Sequence, residues 1–238
     1  MTDFTWAVLG TKMFPNEKGG TMPRPSLTMY PPKPRGKLIS GQLPAYEKSG
    51  KWLAQRKFNG THILISISPD REVDIIRPGG EPTIQFTPTR ELFDEFRSLK
   101  LEPGLQYWLD GELLNNKTAS THYKGKLVLF DVLQAGRYLL GRPAQIERLK
   151  MLEGICHSST QLESAAGIAL VVTPNVWLAQ SFFTDFVPRF RDFLDHDEIE
   201  GLMLRKKDSC LDKSGSKKYV VDWMIRCRKP HSGGSYDF

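Results

Sequence analysis

The sequence is poor in the features that mark a secreted, metal-stapled or membrane protein. Among its 238 residues there are three cysteines, Cys156, Cys210 and Cys227. Their number is odd, they are widely spaced, and no Cys-x-x-Cys pair or neighbouring histidine pattern accompanies them, which argues against a disulfide framework and against zinc. No uninterrupted apolar run approaches the length that spans a bilayer, and the first residues lack a basic stretch followed by an apolar one. The expectation is a soluble protein of the cytoplasm, or of the host cytoplasm if the source is viral, with no membrane partner. No internal repeat is detectable.

What is present is enough to fold. Hydrophobic residues at 39% and charged residues at 25% lie far from a disordered composition, and the length suits one substantial domain. The net charge of +6 is unevenly spread: residues 12–37 carry six Lys/Arg against Glu17, and residues 205–229 carry nine against three Asp. A surface polarised in this way attracts polyanions, because each phosphate it neutralises releases condensed counterions. A merely solvated basic face is the alternative.

Residues 12–45 are rich in proline and basic side chains, which opposes regular helix or central strand and predicts an extended arm over the surface. The expected organisation is therefore a basic, proline-rich arm at 1–50 packed on the domain, the domain proper at 51–229, and a flexible tail at 230–238. Short apolar strands are predicted at 52–57, 61–68, 73–77, 105–110, 126–133, 168–173, 201–205 and 219–228. Asn59-Gly60 between the first two reads as a tight turn. Helical spacing marks 90–100, 143–157 (with Ile146, Leu149 and Leu152 on its apolar side) and 181–194. Many strands with irregularly interspersed helices predict an α+β domain of mainly antiparallel sheets flanked by helices.

Several polar groups interrupt these strands. Lys57 ends one immediately before a turn, where an amine projecting into a cleft becomes a nucleophile if it is desolvated or lies near another cation; a solvated lysine beside a hairpin is the ordinary alternative. Asp110-Gly111-Glu112 ends another, and its paired acids suit a ribose hydroxyl and a hydrated Mg²⁺, although an Asp-Gly hairpin turn explains it equally well. Phe130 offers a flat ring for a purine or for the core. Arg77 ends a strand where a guanidinium can fork onto phosphate. Glu200 stands beside the basic run Arg205-Lys206-Lys207, as expected where an acid serves a metal and cations serve phosphates. Arg226 and Arg228 lie two apart, hence on one strand face, where they repel each other unless an anion lies between them.

In order along the chain, Lys57-Phe58-Asn59-Gly60, Asp110-Gly111-Glu112-Leu113, Phe130-Asp131-Val132-Leu133, Glu200-Gly201-Leu202-Met203-Leu204-Arg205 and Ile225-Arg226-Cys227-Arg228 resemble the motif set of the covalent nucleotidyltransferases: ATP-dependent DNA and RNA ligases and mRNA capping enzymes. The resemblance covers about residues 50–229. It implies a nucleotidyltransferase adenylation domain of ATP-grasp-like kind, with Lys57 as the nucleophile. Gln55 would lie near the base, Asn59 and Gly60 beside the nucleotide, and Arg77 near ribose or phosphates. Glu112 would contact ribose or metal, Phe130 would stack on the base, Glu200 would serve the metal, and Arg226 and Arg228 would hold the α-phosphate catalytically. The implied cofactors are ATP and Mg²⁺. The implied reaction is sealing of nicked or broken DNA or RNA, as in DNA repair, by a monomer. A capping-type guanylyltransferase and a non-catalytic nucleic-acid-binding module derived from the fold are the alternatives.

The chain departs from that pattern in four places. Asn59 stands where many relatives have Asp, and His62 where DNA ligases and capping enzymes have an arginine. Arg226 and Arg228 replace lysines and cannot donate a proton at neutral pH, which makes Lys217, Lys218 and Lys229 nearby candidates. Only ten residues follow Arg228, too few for the oligonucleotide-binding domain that often comes next. The expectation is that the basic segments 12–45 and 205–229 or an accessory protein take its place, or that the chain is closer to the RNA ligases, which manage without that fold.

Overall fold

The computed structural model describes residues 12–13, 23–24, 30–83, 86–115, 123–156, 163–165, 167–212 and 219–229. The expectations for 230–238 and for most of 1–29 lie outside them, as do Lys217 and Lys218. In chain order the elements are β1 (Lys12–Met13), β2 (Pro23–Arg24), β3 (Lys33–Leu38), α1 (Leu43–Lys48), β4 (Trp52–Phe58), β5 (Thr61–Ile67), β6 (Val73–Arg77), β7 (Glu81–Pro82) and α2 (Arg90–Arg97). They continue with β8 (Tyr107–Leu113), β9 (Leu127–Ala135), β10 (Arg137–Tyr138), α3 (Gln145–Cys156), β11 (Glu163–Ala165), β12 (Ala169–Val171), β13 (Val176–Leu178), β14 (Ser181–Phe182), α4 (Phe186–Arg191), β15 (Ile199–Lys206) and β16 (Val220–Arg228).

Two mainly antiparallel sheets carry the molecule, which is α+β as the pattern predicts. The larger has the order β11-β12-β13-β9-β8-β5-β6-β7, with β10 beside β9, and the smaller has the order β14-β4-β15-β16-β3. Within them the parallel pairs are β13 with β9 and β16 with β3. In β5 the β-branched Ile63, Ile65 and Ile67 and the intervening Leu64 are all fully buried and belong to the larger core. Thr89 caps α2 by accepting from the Leu92 N–H, so that Leu92 and Phe96, one turn apart, reach the same core. A second core gathers Trp52, Ala54 and Phe58 of β4, Leu202 and Leu204 of β15, and Phe186, Phe190 and Phe193 in and after α4. No helix among the described residues is long and apolar enough to cross a membrane.

Four local expectations need correction. Residues 33–38 are an edge strand and 43–48 a helix rather than an extended arm crossing the surface; the prolines are tolerated because β3 lies at a sheet edge, as the exclusion of a central strand allows, and Pro44 falls in the first turn of α1. Asn59-Gly60 is not a hairpin turn, because β4 pairs with β14 and β15 whereas β5 pairs with β6 and β8; the two residues carry the chain from one sheet to the other. The 181–194 segment is a short strand followed by α4, whose first turn contains Pro188. The buried stripe of α3 runs through Gln145, Arg148, Leu149, Leu152 and Ile155 rather than through Ile146.

Candidate active site

Where the two sheets face each other they enclose a cleft of about 340 Å³. Its walls come from β4 (Gln55, Lys57), β5 (His62), β8 (Asp110, Glu112), β9 (Phe130), β15 (Glu200, Met203, Arg205), β16 (Met224, Arg226, Arg228) and the start of β3 (Lys33). Five cationic side chains, Lys33, Lys57, Arg205, Arg226 and Arg228, line it against three carboxylates, while the Arg56 guanidinium is turned away onto Phe182 and Phe193. Such a space, electropositive yet supplied with acids, suits a phosphorylated ligand accompanied by a cation.

Alternation along β4 sends Trp52, Ala54 and Phe58 to the second core and leaves Gln55 and Lys57 facing the cleft. Lys57 Nζ lies 2.6 Å from Glu200 Oε2, and Arg228 Nε lies 3.1 Å from the same oxygen. The repulsion between the two cations of β16 is thus relieved in part by the protein's own carboxylate. Glu200 reaches that position through a β-bulge: Ile199 pairs with Phe58 and Gly201 with Lys57, leaving Glu200 unpaired between them. Regular alternation would have put Glu200 on the core face with Leu202 and Leu204; the bulge turns it to the cleft. Gly201 makes this possible, with φ at +150° and no room for a side chain, since a Cβ there would lie 1.9 Å from the Cys227 carbonyl oxygen.

A second bulge serves Phe130. Asp110 pairs with Asp131 and Gly111 with Leu129, so Phe130 is the extra residue, and its ring faces the cleft 5.8 Å from the His62 ring and 5.3 Å from the Arg205 guanidinium. Glu112 Oε1 accepts from the Gly60 N–H at 3.0 Å. Gly60 is needed here for space: a Cβ would lie 2.2 Å from the Leu113 carbonyl oxygen. Gln55, almost fully buried, donates through Nε2 to the Phe130 carbonyl (3.4 Å) and to Ser181 Oγ (3.2 Å). Its Oε1 has no hydrogen-bond partner among the described residues.

Two buried carboxylates, Asp110 and Asp131, frame these groups. His62 Nε2 and Asp110 Oδ1 are 2.6 Å apart; burial works against the charged ring, but Asp110, with a smaller contribution from Glu112, outweighs it and raises the His62 pKa above its ordinary value. Asp131 receives Arg148 Nε at 3.0 Å on one oxygen, and Arg205 Nη1 at 2.9 Å and Gln145 Nε2 at 3.3 Å on the other. Burial alone would raise its pKa, yet the two guanidinium groups hold it below the usual carboxylate range. Cys227, between the two cleft arginines, points into the core, and burial pushes its thiol up to about 12, so it is chemically inert.

No family model matches the chain, and no curated protein does. Solved structures do. The ligase domain of Mycobacterium tuberculosis LigD superposes with a TM-score of 0.55 at 16% identity, over 84% of this chain and 59% of that one. Two chains designated Pmar-Lig give 0.55 at 17% and 0.52 at 18%, over 86% and 82% of this chain and 48% and 46% of theirs. The chain has the fold of a ligase domain. It spans between about half and three fifths of the length of the ligase chains it matches.

On this ligase fold, Gln55, Lys57, Gly60, Glu112, Phe130, Glu200, Arg226 and Arg228 all line the cleft. Asn59 and Arg77 are not among the lining residues. The Asn59 amide donates to the Asp197 carbonyl at 3.3 Å, and Arg77 Nε donates to the Pro82 carbonyl at 3.0 Å within the β6–β7 turn. Lys229 Nζ donates to the carbonyls of Leu194 and His196 and is likewise outside the lining set. The sequence named Asp110 as one of a pair of acids and Arg205 as part of a basic run, and gave Lys33 no role of its own; all three line the cleft. Of these, Arg205 was signalled by its position at the end of an apolar strand, whereas Lys33 entered the cleft only through the unforeseen pairing of β3.

Proposed function

We propose that the chain is an ATP-dependent polynucleotide ligase that forms a covalent Lys57–AMP intermediate, passes AMP to a 5′-phosphate and joins that end to a 3′-hydroxyl in nicked DNA or RNA. The observation that carries this reading is the placement of Lys57 Nζ beside Glu200 in a cation-lined cleft on the ligase fold. In the first step Lys57, once deprotonated, attacks the α-phosphorus of ATP; an N–P bond forms as the bond to pyrophosphate breaks. The nearest acceptor for the Lys57 proton is Glu200 Oε2, 2.6 Å away. Arg226, whose buried Nε has no partner among the described residues, and Arg228 supply charge to the α-phosphate. AMP then moves to the 5′-phosphate of the polynucleotide, and attack by the 3′-hydroxyl expels AMP.

Gln55 supports adenine over guanine. Because the Phe130 carbonyl can only accept, the amide must present Nε2 to it, which leaves Oε1 as an acceptor in need of a donor. The 6-amino group of adenine satisfies it; the 6-oxo group of guanine does not. Phe130 offers its ring to the base. The donor set also fits Mg²⁺ brought by the triphosphate: among the described residues no cluster of three or more His, Cys, Asp or Glu forms a dedicated cage, and Mg²⁺ characteristically takes one or two carboxylates, here Glu112 and Glu200, with phosphate oxygens and water. Held there, Mg²⁺ would supply positive charge to offset that of the leaving pyrophosphate.

The test is incubation with Mg²⁺ and α-labelled ATP or GTP, denaturation, and detection of label on the chain. Label from ATP that is lost in Lys57→Ala is expected. Absence of label under every condition overturns the reading, and preferential label from GTP selects a capping-type guanylyltransferase instead.

A further inference from the structure

We infer that the sheet edge formed by β3 is the docking surface for the phosphodiester backbone of the polynucleotide whose end enters the Lys57 cleft, an inference that rests on the ligase reading. Strand β3 runs parallel to β16 with Lys37 beside Arg226 and Leu38 beside Cys227. Leu38 and Cys227 share the second core. The opposite face, with Lys37 and Arg226 on it, is therefore the face that carries the cleft. Alternation places Arg35 and Lys33 on that same face; all three cations are exposed, while Pro34 and Gly36 are half-buried and Leu38 is buried.

From Lys33 at the rim, the cationic lining of the cleft thus continues along the strand to the sheet edge. No carboxylate among the described residues neutralises Lys33, Arg35 or Lys37. Asp222, in the stretch of β16 where the β3–β16 register shifts, is ion-paired with none of them, and Glu200 is engaged by Lys57 and Arg228. Alternate residues on a strand stand roughly 6.6 Å apart, comparable with successive phosphates of an extended backbone. Three charges in such a row, without a carboxylate partner among the described residues, repel one another, and a polyanion laid along them relieves that repulsion while releasing its own counterions. Cations on an edge strand also discourage sheet-to-sheet pairing, but that role makes no demand on the salt dependence of nucleic-acid binding.

The experiment measures fluorescence anisotropy of labelled nicked DNA duplex, and in parallel nicked RNA duplex, against salt for the wild type, R35A/K37A and the charge-conserving R35K/K37R. Removing two phosphate contacts lowers the slope of log K against log salt by about 1.8 on B-form duplex. Between 50 and 200 mM salt the wild type then loses roughly tenfold more affinity than R35A/K37A, and R35K/K37R behaves as wild type. Labelling of Lys57 from ATP by R35A/K37A stays at the wild-type level. An unchanged slope in R35A/K37A, or no salt-dependent binding of either duplex by the wild type, overturns the inference. If the slope falls but no chain is labelled, the docking surface stands and the ligase reading fails; if labelling proceeds with the slope unchanged, the reverse holds.

Discussion

At the scale of single residues, the site turns on one carboxylate serving two cations. Glu200 holds Lys57 and Arg228 on the same oxygen, with Lys57 and Glu200 side chains 19% and 27% exposed. A pair so partly solvated contributes on the order of 1 kcal/mol or less to stability, so its importance lies in aiming the Lys57 amine. Glu200→Gln is expected to lower labelling of Lys57 by about 10²-fold, the usual cost of a misplaced reactive group, while shifting the urea midpoint little; a large stability loss with proportionate labelling would mark Glu200 as structural. His62 behaves differently. Its folded pKa is raised, so the stabilisation it contributes is complete below its unfolded value near 6.5 and is lost as pH rises through the folded value. The difference in urea midpoint between wild type and His62→Gln should therefore shrink on going from about pH 5.5 to 8.5, and a constant difference would exclude the Asp110 ion pair as its source.

At the scale of elements, the site depends on two bulges that no local pattern announces. The apolar periodicity of β4, β5, β8, β9, β15 and β16 was legible because it is written within each strand, and so were Lys57, Glu112, Phe130 and Glu200 as polar or aromatic interruptions of those strands. Register was not, because it belongs to pairs of strands: alternation read from Leu202 and Leu204 assigns Glu200 to the core, and only the mismatch with Phe58 and Lys57 reverses it. The same limit hid the role of Asn59-Gly60, which looks like a hairpin but joins two sheets, and the pairing of β3. Gly201 makes the Glu200 bulge testable. A methyl group there meets the Cys227 carbonyl at 1.9 Å and imposes φ of +150° on an L-residue, so Gly201→Ala is expected to cost roughly 2–4 kcal/mol by urea unfolding. Because the strain falls between β15 and β16, the folded fraction should also label poorly. Full stability in Gly201→Ala would show that the bulge relaxes at no cost.

At the scale of the whole molecule, a buried cluster of charge bridges the two halves of the cleft. Asp131 belongs to the larger sheet, Arg205 to the smaller and Arg148 to α3, and all three are buried. Arg148 lies on the stripe of α3 that also buries Leu149 and Leu152. An arginine on an apolar stripe is a sequence signal of this cluster, yet its partner is seventeen residues away on another element and cannot be read from spacing. The cluster also fixes Arg205 over the Phe130 ring, so it joins the architecture to the base-binding wall. Asp131→Asn leaves two buried guanidinium groups without their counter-charge and is expected to cost about 3–5 kcal/mol. Replacing the triad together, as D131L/R148M/R205M, removes the uncompensated charge and should recover most of that loss, but labelling should stay low because Phe130 loses the cation beside it. The pH dependence carries the same sign argument. With its folded pKa depressed, Asp131 contributes stability that is present above its unfolded value near 4 and is lost as pH falls through the folded value. Wild type should therefore lose stability steeply below about pH 4, and D131L/R148M/R205M should show a shallower acid limb in urea titrations at matched ionic strength. Equal acid limbs would place the acid sensitivity elsewhere and leave the two sheets held by apolar packing alone.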